Sequence, residues 1–187
     1  DHLTGFISKK NTISLKFILI YLSLMVPVFL IWIWEPSFAL LLFLIYSSWH
    51  FGQTDFQHWG IKSKGFGFLW GIVLFVYLFL THLEELKIIL EALKIEINFL
   101  EEIYFLHNYF LFASLLLAIY YKKAEWLLIL MFLFFAQFVN LIYAFGLYFI
   151  FHHSRLGWVH LKKKLAVSSL KMYFHALPFN IGAIVLF

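Results

Sequence analysis

The sequence predicts an all-α, polytopic helix bundle made for the bilayer, and three observations predict it. Of 187 residues, 64% are hydrophobic and 22% aromatic, and mean hydropathy is +0.90, whereas a soluble domain is closer to half apolar. The apolar residues come in long runs without the alternation that a barrel strand requires, so helices must satisfy the backbone. The charges, 14 Lys and Arg against 10 Asp and Glu, gather in the short stretches between the runs. That basic excess suits anionic lipid headgroups and not nucleic acid. Cysteine is absent, which excludes disulfides and thiolate metal sites.

Six runs follow one another: residues 13–34, 38–51, 66–80, 104–121, 126–151 and 172–187. A crossing helix needs about 17–20 apolar residues. The second and third runs must therefore continue into their polar flanks, and the count is five to six transmembrane segments in a single membrane domain, residues 1–187. Pro27 is placed to kink the first run. Trp32, Trp34, Trp49, Trp59 and Trp126 stand near run ends, where amphipathic rings favour the interface. Residues 81–102 carry six Glu and two Lys, with Leu86, Ile89, Leu90, Leu93 and Ile97 at helical spacing. They read as an amphipathic helix lying on the surface. The basic stretch 160–171 would rest on anionic headgroups. The chain opens at Asp1 with no signal peptide and stops at Phe187 inside an apolar run, so it reads as a fragment truncated at both ends.

Ionisable groups inside apolar runs are costly, and each is by default a functional hypothesis. "SSWHFGQTDFQHWG", residues 47–60, sets His50 at the end of a run, followed by Asp55 and His58. Neutral imidazole is a common metal ligand, and a carboxylate can fix its tautomer. The plainer reading is that these groups mark a helix leaving the bilayer, and for His58 that reading is preferred. "YFIFHHSRLGWVH", residues 148–160, adds His152, His153, Arg155 and His160. His160 lies two turns beyond His152 or His153, about 10.5–12 Å along a helix and too far to share one ion. His152 and His153 point about 100° apart, so one helix offers a given centre only one of them. His82, His107 and His175 are expected to be exposed or interfacial.

The basic residues pose a problem of parity. Lys9, Lys10, Lys62, Lys64, Lys122 and Lys123 fall on one side if every run crosses, and the acidic stretch falls on the other. The basic stretch after Phe151 then lands on the acidic side, so at least one run must be re-entrant, split or misread. His50 and His153 would also sit at opposite ends. The expected resolution is that the helices of runs 38–51 and 126–151 extend past their apolar ends and bring both histidines deep into the bundle.

Taken together, the motifs resemble a known family. "WHFGQTD", residues 49–55, resembles the HFG-x-x-D element of the Brp/Blh family, integral membrane β-carotene 15,15′-dioxygenases. "YFIFHHS", residues 148–154, resembles that family's aromatic run ending in His-Ser. The opening "DHL" is similar to the tail of its N-terminal His-Gly-x-x-Asp-His element. The resemblance implies a non-haem Fe(II) held by histidines from separate helices. It implies β-carotene entering from the bilayer and O₂ cleaving its central double bond to two retinals, with a functional link to a retinal-binding rhodopsin. An inner-membrane, multi-pass location follows. By position His50 and His153 carry over as ligands. Many members place a second histidine four residues after the first; Gly157 stands there, so either His152 or His160 substitutes or the coordination differs in this chain. Asp55, Arg155 and Asp1 are then supporting residues around the metal. Two alternatives remain open: a bis-histidine haem electron carrier and a non-enzymatic transport or assembly subunit. A membrane di-iron desaturase needs H-x-x-x-H and H-x-x-H-H pairs, and no two histidines here stand three or four apart.

Overall fold

The structure is a computed structural model that describes residues 15–95, 99–174 and 177. Asp1, with the rest of the N-terminal element, and His175 lie outside these residues. Among the described residues every regular element is helical: α1 (Leu15–Trp34), α2 (Pro36–His58), α3 (Lys64–Thr81), α4 (Leu83–Ala92), α5 (Leu106–Tyr120), α6 (Ala124–Ala136), α7 (Leu141–Tyr148) and α8 (Arg155–Leu165). A π-helical turn, Phe149–Ser154, joins α7 to α8.

Local chemistry sets the boundaries. Pro36 opens α2, where its missing N–H costs nothing, and forces Glu35 before it out of the helical region, which ends α1. The helix α1 continues through Pro27. Ser63 starts α3 by accepting a hydrogen bond from the Phe66 amide. As expected for the second run, α2 extends past its apolar residues to His58. Among the described residues, α3 alone is both long and apolar enough to cross a bilayer. The acidic stretch is helical only over Leu83–Ala92, with Leu86 and Leu90 buried, and Lys94 turns the chain at φ +58°.

The closest helix pair is α2 against α3. Ser48 and Gly52 face Gly67 and Gly71, each pair four residues apart on its helix. A Cβ added at Gly52 would fall on the Gly67 carbonyl, and one at Gly71 on the Ser48 carbonyl. Without side chains between them the backbones approach as small-residue stripes allow. This fixes the depth of the neighbouring His50.

The run 126–151 is not one helix. At its start Trp126 stacks on Trp59, with ring centroids 4.9 Å apart, beside the α2–α3 loop. Where α6 ends, the carbonyls of Ala136 and Val139 meet His82, just past α3. Next, the Leu141 amide donates to Glu85 Oε2 at 2.7 Å, Phe145 meets Phe75, and Tyr148 reaches Asp55. Thus α6 runs with α3 and α7 runs back against it. Asn140 caps the returning helix by accepting from the Tyr143 amide. This extra pass corrects the parity: Lys62, Lys64, Lys122, Lys123 and the lysines of α8 share one end, while Glu84, Glu85, Glu101 and Glu102 share the other. The run is split, and reversal rather than extension carries His153 to the level of His50.

Two further expectations are corrected. Trp59 and Trp126 are buried, at 3% and 1% exposure, because Phe56 and Trp70 close round them. His82 and His107 are also buried. The Nδ1 of His82 lies 2.6 Å from the Leu78 carbonyl, and its Nε2 lies 2.8 Å from Val139 O and 3.1 Å from Ala136 O. His107 bonds the Tyr104 carbonyl. Main-chain carbonyls at helix ends supply the partners that make such burial tolerable.

Candidate metal centre

The centre forms where α2 meets the returning helix. His50 and His153 approach edge to face, with ring centroids 5.1 Å apart. His153 is buried and stacks on Phe51 at 3.9 Å, while His50 keeps an exposed face. The Nδ1 of His153 is buried with no hydrogen-bond partner among the described residues. An unsatisfied buried polar atom costs about 1–3 kcal/mol, and a bound ion is one of the few things that account for it. A first-row metal sits about 2.0–2.1 Å from an imidazole nitrogen, so two rings this close can share one ion. Among the described residues no third His, Cys, Asp or Glu joins them.

Asp55 organises the surroundings. It is completely buried and accepts three hydrogen bonds. Trp70 Nε1 and the Tyr148 hydroxyl donate to Oδ2 at 2.8 and 2.9 Å, and His152 Nε2 donates to Oδ1 at 2.9 Å. A carboxylate away from water needs such donors, since an unpaired buried charge is expensive. The side chains come from α3, α7 and the π turn, so Asp55 ties three elements to α2. The π turn also separates two adjacent histidines: His152 goes to Asp55, and His153 goes to His50.

The other sequence candidates are not brought to this pair. His160 and Arg155 lie exposed on α8. His58 ends α2 and pairs with Glu125 at 3.0 Å. Gly157 stands exposed on α8, and a Cβ added there would meet nothing within 4 Å. Two residues that sequence reasoning missed, Trp70 and Tyr148, complete the Asp55 node. Tyr148 could have been found from its place four residues before His152, on one helical face. Trp70 carried no such signal.

A family model described as Beta-carotene 15,15'-dioxygenase matches residues 2–187. The chain belongs to the beta-carotene 15,15'-dioxygenase family. The match spans nearly the whole chain and so includes both histidine segments and the helices between them. No curated protein and no solved structure matches. Membership makes β-carotene the substrate class for this dioxygenase chain and gives the histidine pair a chemical context. An aromatic-walled pair of imidazoles, one of them open on a face, offers nitrogen donors beside an apolar approach.

Proposed function

We propose that the protein cleaves the central double bond of β-carotene with O₂, giving two retinal molecules, at an Fe(II) held by His50 and His153. The observation that carries this reading is the meeting of the two imidazoles, from segments a hundred residues apart, in a chain of this family. Iron bound there would supply the activation of O₂. The chain's own residues do the rest. Asp55 holds His152, and through it the π turn that carries His153. Phe51 closes one face of His153 and keeps water from that side of the centre.

The same reading makes the protein a multi-pass resident of the inner membrane. Support comes from the outer faces of the helices, where Leu41, Phe43, Leu128, Met131, Phe135, Ile142 and Ile150 are exposed beyond what a soluble surface tolerates. The excess of lysine at one end, where Lys62, Lys64, Lys122, Lys123, Lys162 and Lys163 gather, favours that end toward the cytoplasm.

The test is expression in cells that make β-carotene, with retinal measured by chromatography and iron measured in the purified protein. Wild type bleaches the cells and yields retinal; His50→Ala and His153→Ala each abolish it and lower the iron content. Retinal production undiminished in both variants would refute the ligand assignment. A Soret band in the purified protein would favour a haem instead.

A further inference from the structure

The returning helix and α2 run in the same direction, and they carry matching stripes. On α2, Phe43, Tyr46 and His50 stand at i, i+3 and i+7. On the returning helix, Gly146, Phe149 and His153 stand at the same spacing. On α2 this spacing keeps the set on one face; on the returning helix, where the π turn changes the spacing, Phe149 and His153 still stack, with centroids 5.7 Å apart. An aromatic ring therefore stands one turn from each histidine, towards the acidic end. The Tyr46 ring is parallel to that of His50, within 2°, and the Phe149 ring lies within 30° of His153. Both aromatics are exposed, at 68% and 41%.

The two stripes meet at the histidines. Phe51 of α2 fills the inner side of that meeting against Phe145, Tyr148 and Phe149, while Tyr46 and Phe149 stay exposed on the outer side. In the other direction the way is shut, because Asp55, Tyr148 and Trp70 are fully or almost fully buried and bonded to one another. Two turns from His153, Gly146 is half-buried yet open: a Cβ added there would meet nothing within 4 Å. From His50 to Phe43 the stripe extends for seven residues, about 10.5 Å of helix.

Resting on the reading of the histidine pair as the reaction centre, we propose that one polyene arm of β-carotene lies in this seam. It is flanked by Tyr46 and Phe149 and given room by Gly146. A conjugated chain is flat, rigid and apolar, and it gains most from parallel ring faces and a dry slot. The seam begins at the imidazoles, so an arm of fixed length lying in it sets which double bond reaches them. Tyr46, Gly146 and Phe149 are thus specificity-determining residues.

The decisive variant is Gly146→Leu: a Cβ there meets nothing within 4 Å, and leucine suits a helix better than glycine does. Two quantities are read for wild type, Gly146→Ala and Gly146→Leu: β-carotene retained by protein purified without iron, and KM and kcat for retinal formation. Melting temperature is followed as a control. The seam requires Gly146→Leu to lose about tenfold or more in carotenoid retained, with a matching rise in KM, Gly146→Ala to lose less, and melting to hold. Tyr46→Ala and Phe149→Ala should raise the share of products cut away from the central bond. A Gly146→Leu protein with wild-type carotenoid content and KM would overturn the seam. Wild type that retains β-carotene yet makes no retinal would overturn the reaction and leave the seam standing, so the two failures are distinct.

Discussion

The two ends of the bundle are held together by different chemistry. At the lysine end, near the histidine pair, one carboxylate collects side-chain donors: Asp55 takes the indole of Trp70, the hydroxyl of Tyr148 and the imidazole of His152. At the glutamate end the collected groups belong to the main chain. His82 meets the carbonyls that close α6, and Glu85 takes an amide that opens α7. Each sits at the helix end whose partial charge suits it. Side-chain donors on stiff rings have fixed directions and no other partner in a closed interior. Main-chain groups at an exposed turn can fall back on water. The difference teaches that geometry is rigid where chemistry is expected and forgiving at the far end.

Asp55→Ala is the strongest way to break this contrast. It strands three donors, including a histidine of a buried pair, and should cost about 3–5 kcal/mol in denaturant unfolding. A variant that melts with wild type would erase the distinction between the ends. His82→Ala should cost less, about 1–2 kcal/mol. A cavity of about 710 Å³ lined by Glu84, Glu101, Gln137 and Asn140 lies beside it, and water there can take over the freed carbonyls. Retinal yield should follow stability in this variant, since His82 acts only on the turn; a loss of yield at unchanged melting would give it a nearer role. Smallest of all is Lys87→Met. The Lys87 ammonium bonds Glu101 and Glu84. Chiefly through that hydrogen bond, it holds the Glu101 carboxyl below its usual range. The contribution is present above the ordinary carboxylate range and fades as pH falls through the lowered value. The pair is solvated and screened, so melting near neutral pH should not move; a clear drop would mean that the glutamate end is tighter than the contrast allows.

How much of this could be read in the sequence follows from what each residue advertises. His50, Asp55 and His153 stood out because ionisable groups in apolar runs are rare. The angle between adjacent positions on a helix foretold that His152 and His153 must serve different partners. The reversal between Ala136 and Leu141 was hidden because residues on both sides are apolar, and hydropathy does not separate a face against protein from one against lipid. Asn140 was a usable cap signal inside that run. The burial of His82 and His107 was hidden for a different reason: their partners are backbone carbonyls, which every residue has. The meeting of α2 and α3 was written in Ser48, Gly52, Gly67 and Gly71, small residues that a search for chemistry passes over.

That glycine-lined crossing has a consequence for how the molecule is made. Both strips lie within two dozen residues of chain and need nothing beyond α3, so this helical hairpin can close while the rest is still being synthesised. The first imidazole is then in place well before the second leaves the ribosome. The returning helix is left to dock last, onto a surface already set.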